Sequence, residues 1–292
     1  MNNTKPKTKK QKQIKDLQIL PICFFGHRRR KLAKHVLECL KKNLKTTGYT
    51  PKFIFGNCGT DEDYRSKVIE AIKETFGPNA LHKVFDCPGI EGLGNGLNAA
   101  MNACIKEAWT LNDVCLRLED DWVLVKPLDI GPWLDLMKED NLAMIRLGQI
   151  QIDPNKVKPY REDLGLDWLD YAPNARYPIN HQVGIVHKRL YDLVGYYSEQ
   201  MSIDEAEFDY GRKYRVKCKN FTDKTKPIVL WPHGQPLTID PDERRFFIHG
   251  GYSSPALGHD YFSLAVPEWL IPYQEPEDIA RIEEYKRNHP QK

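Results

Sequence analysis

The sequence Val114-Cys115-Leu116-Arg117-Leu118-Glu119-Asp120-Asp121-Trp122 indicates how this chain folds. A short apolar run of this kind is typical of a buried strand. Acids at the carboxyl end of such a strand lie where open α/β sheets bind their ligands. Three adjacent carboxylates repel one another and lose hydration, unless a cation or hydrogen-bond donors compensate them. We therefore predict that a divalent cation and a phosphorylated ligand bind at this strand end.

Strands and helices alternate on the amino-terminal side of this stretch. The apolar pattern predicts strands over residues 19–25, 52–55, 80–85 and 113–118, and helices over residues 32–44, 62–76 and 97–109. This alternation predicts an α/β fold with an open, mostly parallel, Rossmann-like sheet that has helices on both faces. The polar turns 26–30, 56–61 and 119–121 each follow a strand. They should therefore gather at one edge of the sheet, where the ligand binds.

The pattern is less regular on the carboxyl-terminal side. Helices are predicted over residues 129–139, 188–197 and 203–214, and strands over residues 142–147 and 182–187. Residues 148–180 show no clear periodicity, and a connection of that length is usually functional. Beyond residue 227 the many Pro, Gly and aromatic residues predict only short strands.

Composition describes an ordinary globular chain of 292 residues, 41% hydrophobic and 28% charged. No apolar stretch approaches the roughly 20 residues of a membrane span, and the polar amino terminus lacks the apolar core of a secretory signal. The seven cysteines are odd in number and form no Cys-x-x-Cys pair. This usage favours reduced thiols, and hence a cytoplasmic protein, over a disulfide framework or a zinc site.

The charge of the chain is unevenly placed. The first fifteen residues carry six lysines and no acid, whereas the whole chain has a net charge of +3, so the remainder carries −3. We expect residues 1–16 to be a disordered basic tail. Such a tail could contact nucleic acid or an anionic membrane surface, although lysine runs more often serve only solubility.

The order of the motifs resembles the nucleotide-sugar half of GT-A-fold glycosyltransferases, and glycosyltransferase family 2 in particular. The motifs are Asn57-Cys58-Gly59-Thr60-Asp61, Gly94-Asn95-Gly96-Leu97-Asn98-Ala99-Ala100 and the triple acid Glu119-Asp120-Asp121. The resemblance covers residues 19–125 well, continues loosely over 182–212 and is thin beyond 227. It implies a nucleotide-sugar-binding half over residues 17–126 and an acceptor-binding half of the same domain over 127–292.

The resemblance also implies a role for each donor-side residue. Asp121 would bind Mn²⁺ or Mg²⁺ at the two phosphates of a nucleoside-diphosphate sugar, assisted by Asp120 or Glu119. Asp61 and Asn57 would hold the nucleotide, with Gly94 and Asn98 at the helix start. Arg28, or its neighbour Arg29, would contact phosphate. The structural alternatives are a solvated acidic turn, a helix-capping Asp61 and a solvated basic turn.

The acceptor side is less clearly marked. Asp204 or Glu205 would be the general base of an inverting transfer, and the alternative is that both acids only complement a helix amino terminus. His249 would complete the metal shell, with His233 as its rival. Stacking platforms for a sugar or base, or else core aromatics, are Trp168, Tyr171, Tyr177, Trp231 and Tyr252.

The reaction implied is transfer of a sugar to an acceptor hydroxyl. A glycan or other saccharide is the default acceptor, and the lysine tail leaves a hydroxylated DNA base open. Two other classes compete with this interpretation. A nucleotidyltransferase acting on a sugar phosphate would have a lysine-bearing glycine-rich loop after the first strand, which Gly26–Arg30 lacks. A non-catalytic nucleic-acid-binding protein would need clustered positive charge on its body, which carries −3.

Overall fold

The computed structural model describes residues 17–90, 95–139, 142–148, 157–169, 179, 182–219, 228–232, 246–250 and 266–288. Its strands are β1 (Gln18–Gly26), β2 (Leu44–Lys45), β3 (Tyr49–Asn57), β4 (Leu81–Asp86), β5 (Val114–Glu119), β6 (Trp122–Leu124), β7 (Leu128–Asp129), β8 (Leu142–Arg146), β9 (Val157–Arg161), β10 (Leu166–Leu169), β11 (Gly184–His187), β12 (Ile228–Pro232) and β13 (Phe247–His249). Its α-helices are α1 (Arg30–Asn43), α2 (Glu62–Phe76), α3 (Gly96–Ala108), α4 (Gly131–Leu136), α5 (Lys188–Val194), α6 (Ile203–Cys218) and α7 (Pro276–Asn288).

Nine of these strands form one sheet in the order β4-β3-β1-β5-β11-β8-β12-β10-β9. The first four strands in that order are parallel to one another. Strand β11 is antiparallel to both of its neighbours, and β12 pairs parallel with β8. The predicted α/β fold, with a parallel part formed by β4, β3, β1 and β5, is therefore confirmed. The turns after β1, β3, β4 and β5 lie together because parallel strands end at the same edge.

Each face of the sheet carries its own core. On β1, Leu20, Ile22 and Phe24 point toward α1 and α2, whereas Cys23 and Phe25 point toward α3. All five side chains are fully buried. This burial explains why the strand appears in the sequence as a continuous apolar run, since both of its faces are covered.

A second, two-stranded sheet positions the carboxyl-terminal part of the chain beside the acidic turn. Strand β13 pairs antiparallel with β6, and this register places His249 opposite Trp122. The Gly250 N–H also donates to the Asp121 carbonyl at 2.6 Å. The pairing brings a distant segment to the end of β5, although nothing in the local sequence of either strand requires it.

Several predicted elements differ from those observed. The helix expected over residues 129–139 is only one and a half turns long and follows the short strand β7. The helix expected over 188–197 ends at Val194, because Gly195 adopts φ +92°. Strands β9 and β10 lie within the segment for which no periodicity was detected. Helix α7 was missed, although Pro276 and two acids mark its first turn.

No helix in the described part of the chain is long and apolar enough to cross a membrane. All seven cysteines are free thiols, four of them buried. The basic tail, residues 1–16, lies outside the described residues, and its predicted contacts with nucleic acid or an anionic surface stay a prediction.

His187 predicts a pH dependence of stability. This buried histidine caps α5, with its Nδ1 accepting from the Arg189 N–H at 3.1 Å. Burial, and then the neighbouring Arg189 charge, lowers its pKa from 6.5 to about 4. The unfolded chain therefore takes up a proton at a higher pH than the native protein does. As the pH falls from ~7 to ~4, we expect protonation of His187 in the unfolded chain to lower the free energy of unfolding by about 3 kcal/mol.

Urea denaturation across this pH range, compared between the wild type and His187→Asn, measures the effect. Asn keeps the capping acceptor and cannot titrate. As the pH falls, the free energy of unfolding should decrease more in the wild type than in the variant. Parallel pH profiles would contradict the assignment.

Candidate nucleotide and metal site

The three consecutive acids at the end of β5 point in three different directions. Successive side chains of a strand alternate between its faces, so Glu119 lies on the α3 and α6 side with Cys115 and Arg117. Asp120 lies on the opposite side, near α1 and α2, and Asp121 lies in the following turn. The sequence grouped them as one acidic cluster, but the structure gives each a different set of neighbours.

Asp120 holds the edge of the sheet together. Its Oδ2 accepts from the Tyr64 hydroxyl at 2.8 Å and from the His27 N–H at 3.1 Å. The side chain is 2% exposed. Burial raises the pKa of this carboxyl to about 7, against the opposing effect of Arg29. Asp120 therefore links the turn after β1 to helix α2. Its predicted assistance to the metal stays a prediction.

Asp121 is the most ligand-like of the three acids. Its Oδ2 lies 2.5 Å from Arg29 Nη1 and 3.3 Å from His249 Nε2. Its Oδ1 is buried and has no hydrogen-bond partner among the described residues. Burial acts to raise the pKa of Asp121, but His249 and Arg29 outweigh that effect and hold the pKa well below its ordinary range. Asp121 is therefore an ionised carboxylate with one oxygen available to a ligand.

His249 reaches Asp121 through the β6–β13 pairing. Its ring packs edge-on against Trp122, with 5.0 Å between the ring centroids, which orients the imidazole. The predicted convergence of Asp121 and His249 is thus observed, whereas the rival His233 lies outside the described residues. Their roles as metal ligands stay a prediction.

The donor atoms fit a hard divalent cation that a substrate helps to bind. No three acid, cysteine or histidine side chains converge on one point within the described part of the chain. Asp121 and His249 together offer one carboxylate and one imidazole, with the unpartnered Oδ1 available. Mg²⁺ and similar ions are commonly bound by one or two carboxylates plus the phosphates of a substrate. The two residues would hold such an ion only with a phosphorylated ligand and water.

Glu119 belongs to a different environment. Burial raises its pKa well above the ordinary range, followed by repulsion from Asp121, while Arg117 acts in the opposite direction. The carboxylate of Glu207 on α6 also acts on Glu119. Glu119 therefore lies within electrostatic reach of helix α6.

The turn after β3 is held from several sides. Asn57 is buried, its Nδ2 donates to Asp86 Oδ1 at 3.2 Å, and its Oδ1 accepts from the Gly59 N–H at 3.5 Å. Asp61 is half-buried and caps α2, with its Oδ1 accepting from the Tyr64 N–H at 3.0 Å. The structural alternative for Asp61 is therefore realised, and its second oxygen is compatible with a ligand contact at the same edge.

Gly96 approaches protein backbone closely at the start of α3. A Cβ at this position would lie 2.4 Å from the Cys58 carbonyl oxygen and 2.8 Å from that of Cys87. These close neighbours of Gly96 belong to the turns after β3 and β4. Gly94 lies outside the described residues.

Gly96→Ala should destabilise the protein by about 1–3 kcal/mol, because backbone carbonyls cannot move aside as a flexible side chain can. In an unhindered helix the same change is neutral or stabilising. A loss of stability in Gly96→Ala would therefore report the steric clash with the two carbonyl groups. Thermal or urea unfolding measures it. An unchanged or higher stability would contradict the close contact.

Asn98, predicted to lie at the helix start beside the nucleotide, holds the segment before α6, and its contact with a nucleotide stays a prediction. Its Nδ2 donates to the Ser198 and Met201 carbonyls, both at 3.1 Å. Asn102, one turn later, donates to the Tyr197 carbonyl at 2.9 Å, and Asn95 donates to the Glu199 carbonyl. These three amides, one at the N-cap of α3 and two within the helix, hold the segment before α6 against α3. Their spacing of three and four residues was visible in the sequence, but their partners were not.

Asp204 and Glu205, the two acids predicted to include the general base, both lie on helix α6 but in different surroundings. Glu205 is exposed and forms a capping box, in which its Oε2 accepts from the Ser202 hydroxyl at 2.8 Å and from the Ser202 N–H at 3.1 Å. Asp204 is half-buried. Glu207, one turn from Asp204 and half-buried, acts electrostatically on Glu119 and Tyr197. The i, i+3 spacing from Asp204 is the signal that could have identified Glu207.

Of the consecutive arginines, Arg29 reaches the acids. Arg28 is exposed and adopts φ +68°, and its side chain makes no hydrogen bond or ion pair with a described residue. Arg30 pairs with Asp63 at 2.5 Å and with Glu275 at 3.5 Å, away from Asp121. Arg28 was the preferred phosphate contact in the sequence, but the structure favours Arg29. The side chains of the candidate stacking residues Trp168, Tyr171, Tyr177, Trp231 and Tyr252 lie outside the described part of the structure.

Neither a protein-family model nor a curated protein matches this chain. Solved structures similar to it include the mannosyltransferase PcManGT from Pyrobaculum calidifontis in complex with GDP-Man and Mn²⁺ (11% identity, 94% of this chain and 76% of that one, TM-score 0.46). They also include GalNAc-T7 with UDP, GalNAc and Mn²⁺ (13% identity, 95% of this chain and 55% of that one, TM-score 0.47).

A third similar structure is the catalytic domain of Drosophila beta1,4galactosyltransferase 7 in complex with xylobiose (11% identity, 82% of this chain and 73% of that one, TM-score 0.39). All three are similar to this chain in overall fold. At these identities the likeness carries no information about the substrate of this chain.

Proposed function

We propose that this protein is a metal-dependent glycosyltransferase, which moves a sugar from a nucleoside-diphosphate sugar to an acceptor hydroxyl with inversion. The observation that supports this most directly is the convergence of Asp121 and His249 at the carboxyl edge of the parallel strands, 3.3 Å apart. An ionised carboxylate with an available oxygen, an imidazole and a guanidinium at one strand end suit a diphosphate and its cation. The Asn57–Asp61 turn at the same edge suits the nucleoside.

On the donor side the protein residues bind and orient. Asp121 and His249 would hold Mn²⁺ or Mg²⁺, which supplies charge neutralisation for the departing nucleoside diphosphate. Arg29 would contact a phosphate oxygen, and Asp61 a hydroxyl of the ribose or an edge of the base. Asp120 keeps the turn after β1 and helix α2 in place, so that these groups are positioned before the donor arrives.

On the acceptor side a carboxylate of α6 would take the proton from the attacking hydroxyl. An inverting displacement needs this base on the side opposite the leaving group. The capping box occupies Glu205 with Ser202. We take as base candidates Asp204 and Glu207, because both are half-buried on α6 and Glu207 acts electrostatically on Glu119. The acceptor we propose is a saccharide hydroxyl.

Three amide variants locate the base. Glu205→Gln should change stability little, because Gln at this position also forms a capping box, and should leave turnover nearly unchanged. Either Asp204→Asn or Glu207→Gln should reduce kcat by roughly 10²–10⁴-fold with a nearly unchanged KM for the donor. Steady-state kinetics and thermal unfolding of the three variants measure this. If Glu205→Gln alone abolishes turnover, the base assignment is wrong.

A donor panel tests the function itself. The protein is incubated with UDP-, GDP- and CMP-sugars and Mn²⁺ or Mg²⁺, and the release of nucleotide is followed with and without saccharide acceptors. A glycosyltransferase releases nucleotide from at least one donor. A nucleotidyltransferase would instead release pyrophosphate from a nucleoside triphosphate and a sugar phosphate. No turnover or binding of any donor would refute the proposal.

A further inference from the structure

Arg29 is a cation of the protein placed against the acids of the site. Its Nη1 lies 2.5 Å from Asp121 Oδ2 and 3.7 Å from Asp120 Oδ1, and its side chain is 26% exposed. Burial acts to lower the pKa of the guanidinium, and the two aspartates more than reverse that effect. The positive charge therefore neutralises the same carboxylate that is proposed to hold the divalent cation.

This geometry makes the bound cation and Arg29 interfere with each other. A divalent ion at Asp121 and His249 would lie next to a guanidinium, and the charge of Asp121 cannot neutralise both at once. Partial burial weakens the screening of this repulsion by water. An incoming diphosphate resolves the conflict, because its oxygens accept from the fork of guanidinium N–H groups while also binding the metal.

We infer that Arg29 couples metal binding to nucleotide binding: it neutralises Asp121 until a nucleoside diphosphate arrives, and then transfers its hydrogen bonds from the carboxylate to the phosphates. The inference rests on the proposed function and deepens it. Metal and nucleoside diphosphate then bind cooperatively, and each strengthens the other by the same factor. Neighbouring Arg30 cannot take this role while it is held by Asp63 and Glu275.

Binding measurements without any acceptor test the coupling. The affinity for Mn²⁺ is measured by calorimetry, and free Mn²⁺ by electron paramagnetic resonance, with and without saturating UDP or GDP. In the wild type, the nucleotide should raise Mn²⁺ affinity by roughly 10-fold or more, within the usual range of coupling factors. In Arg29→Gln, Mn²⁺ alone should bind roughly 10-fold more tightly than in the wild type, and the nucleotide should raise that affinity by less than roughly 3-fold.

Two further variants keep the test decisive. Arg29→Lys retains the positive charge but lacks the forked N–H groups of the guanidinium, so it should show intermediate coupling. This variant also keeps the test possible if thermal unfolding shows that Arg29→Gln folds poorly. Arg161→Gln removes an arginine from an exposed pair with Asp163 and should behave as the wild type. Unchanged coupling in both Arg29 variants, or weaker Mn²⁺ binding by Arg29→Gln, would overturn the inference and leave the proposed function intact. No Mn²⁺ or nucleotide binding by the wild type would overturn both.

Discussion

Asp121→Asn should reduce metal-dependent turnover by roughly 10³-fold, which is the scale of losing one principal group that stabilises charge in a transition state. The substitution keeps the shape of the side chain and removes its negative charge. Mn²⁺ affinity should fall with turnover, because His249 alone is a weak site for a hard cation. Initial rates with the best donor of the panel, together with Mn²⁺ calorimetry, measure both losses.

A matched control separates this effect from unfolding. The Asp121 carboxylate is also the ion-pair partner of Arg29, so some loss of stability is expected and is measured by urea denaturation. Asp163→Asn removes an exposed acid that pairs with Arg161 at 2.8 Å, and should change neither turnover nor Mn²⁺ binding. A folded Asp121→Asn protein with wild-type turnover would show that the metal is held elsewhere.

Arg117→Met should lower the free energy of unfolding by about 3–5 kcal/mol, the usual effect of removing one partner from a buried charge network. Arg117 is 0% exposed. It donates to the Gln182 carbonyl at 3.0 Å and lies 3.4 Å and 3.5 Å from the hydroxyls of Tyr191 and Tyr197. Met keeps most of the volume but leaves these acceptors, and the nearby carboxylate of Glu119, without their cation.

Urea denaturation of Arg117→Met beside Arg161→Met measures this loss. Arg161 is partly exposed, and exposed ion pairs contribute only about 0–1 kcal/mol, so its variant should unfold almost as the wild type does. If the free energy of unfolding of Arg117→Met changes by less than about 1 kcal/mol, Met fills the site of Arg117 as apolar residues do in a core that tolerates replacement.

Local patterns in the sequence predicted the amino-terminal half of the fold well. The runs that became β1, β3 and β5 are apolar on both faces, and α1 and α2 show helical periodicity that ends at or near a glycine. These signals are local, since burial on both faces of a strand or on one face of a helix is visible within a dozen residues. The same reasoning placed the polar turns at one edge.

Long-range pairing was not predictable from such patterns. The three-residue strands β6 and β13 are too short to have a period, and their register decides where His249 lies. The residues near α7 were assigned to short strands because prolines and aromatics mask its helical pattern. Asn98 was assigned to the ligand, because an amide near a helix start looks the same whether it binds a ligand or the backbone at Ser198.

By itself, the sequence determined that this is an α/β protein with acids at the end of β5 and a helix amino terminus nearby, since strand period, helix period and turn residues are local. Only the tertiary structure decided which groups surround each acid. The alternation of β5 turned Glu119 toward α6 and Asp120 toward Tyr64, and the β6–β13 register brought His249 to Asp121. Three adjacent carboxylates have the same chemistry until packing gives them different neighbours. The most distant of these neighbours, His249, lies 128 residues after Asp121 in the chain.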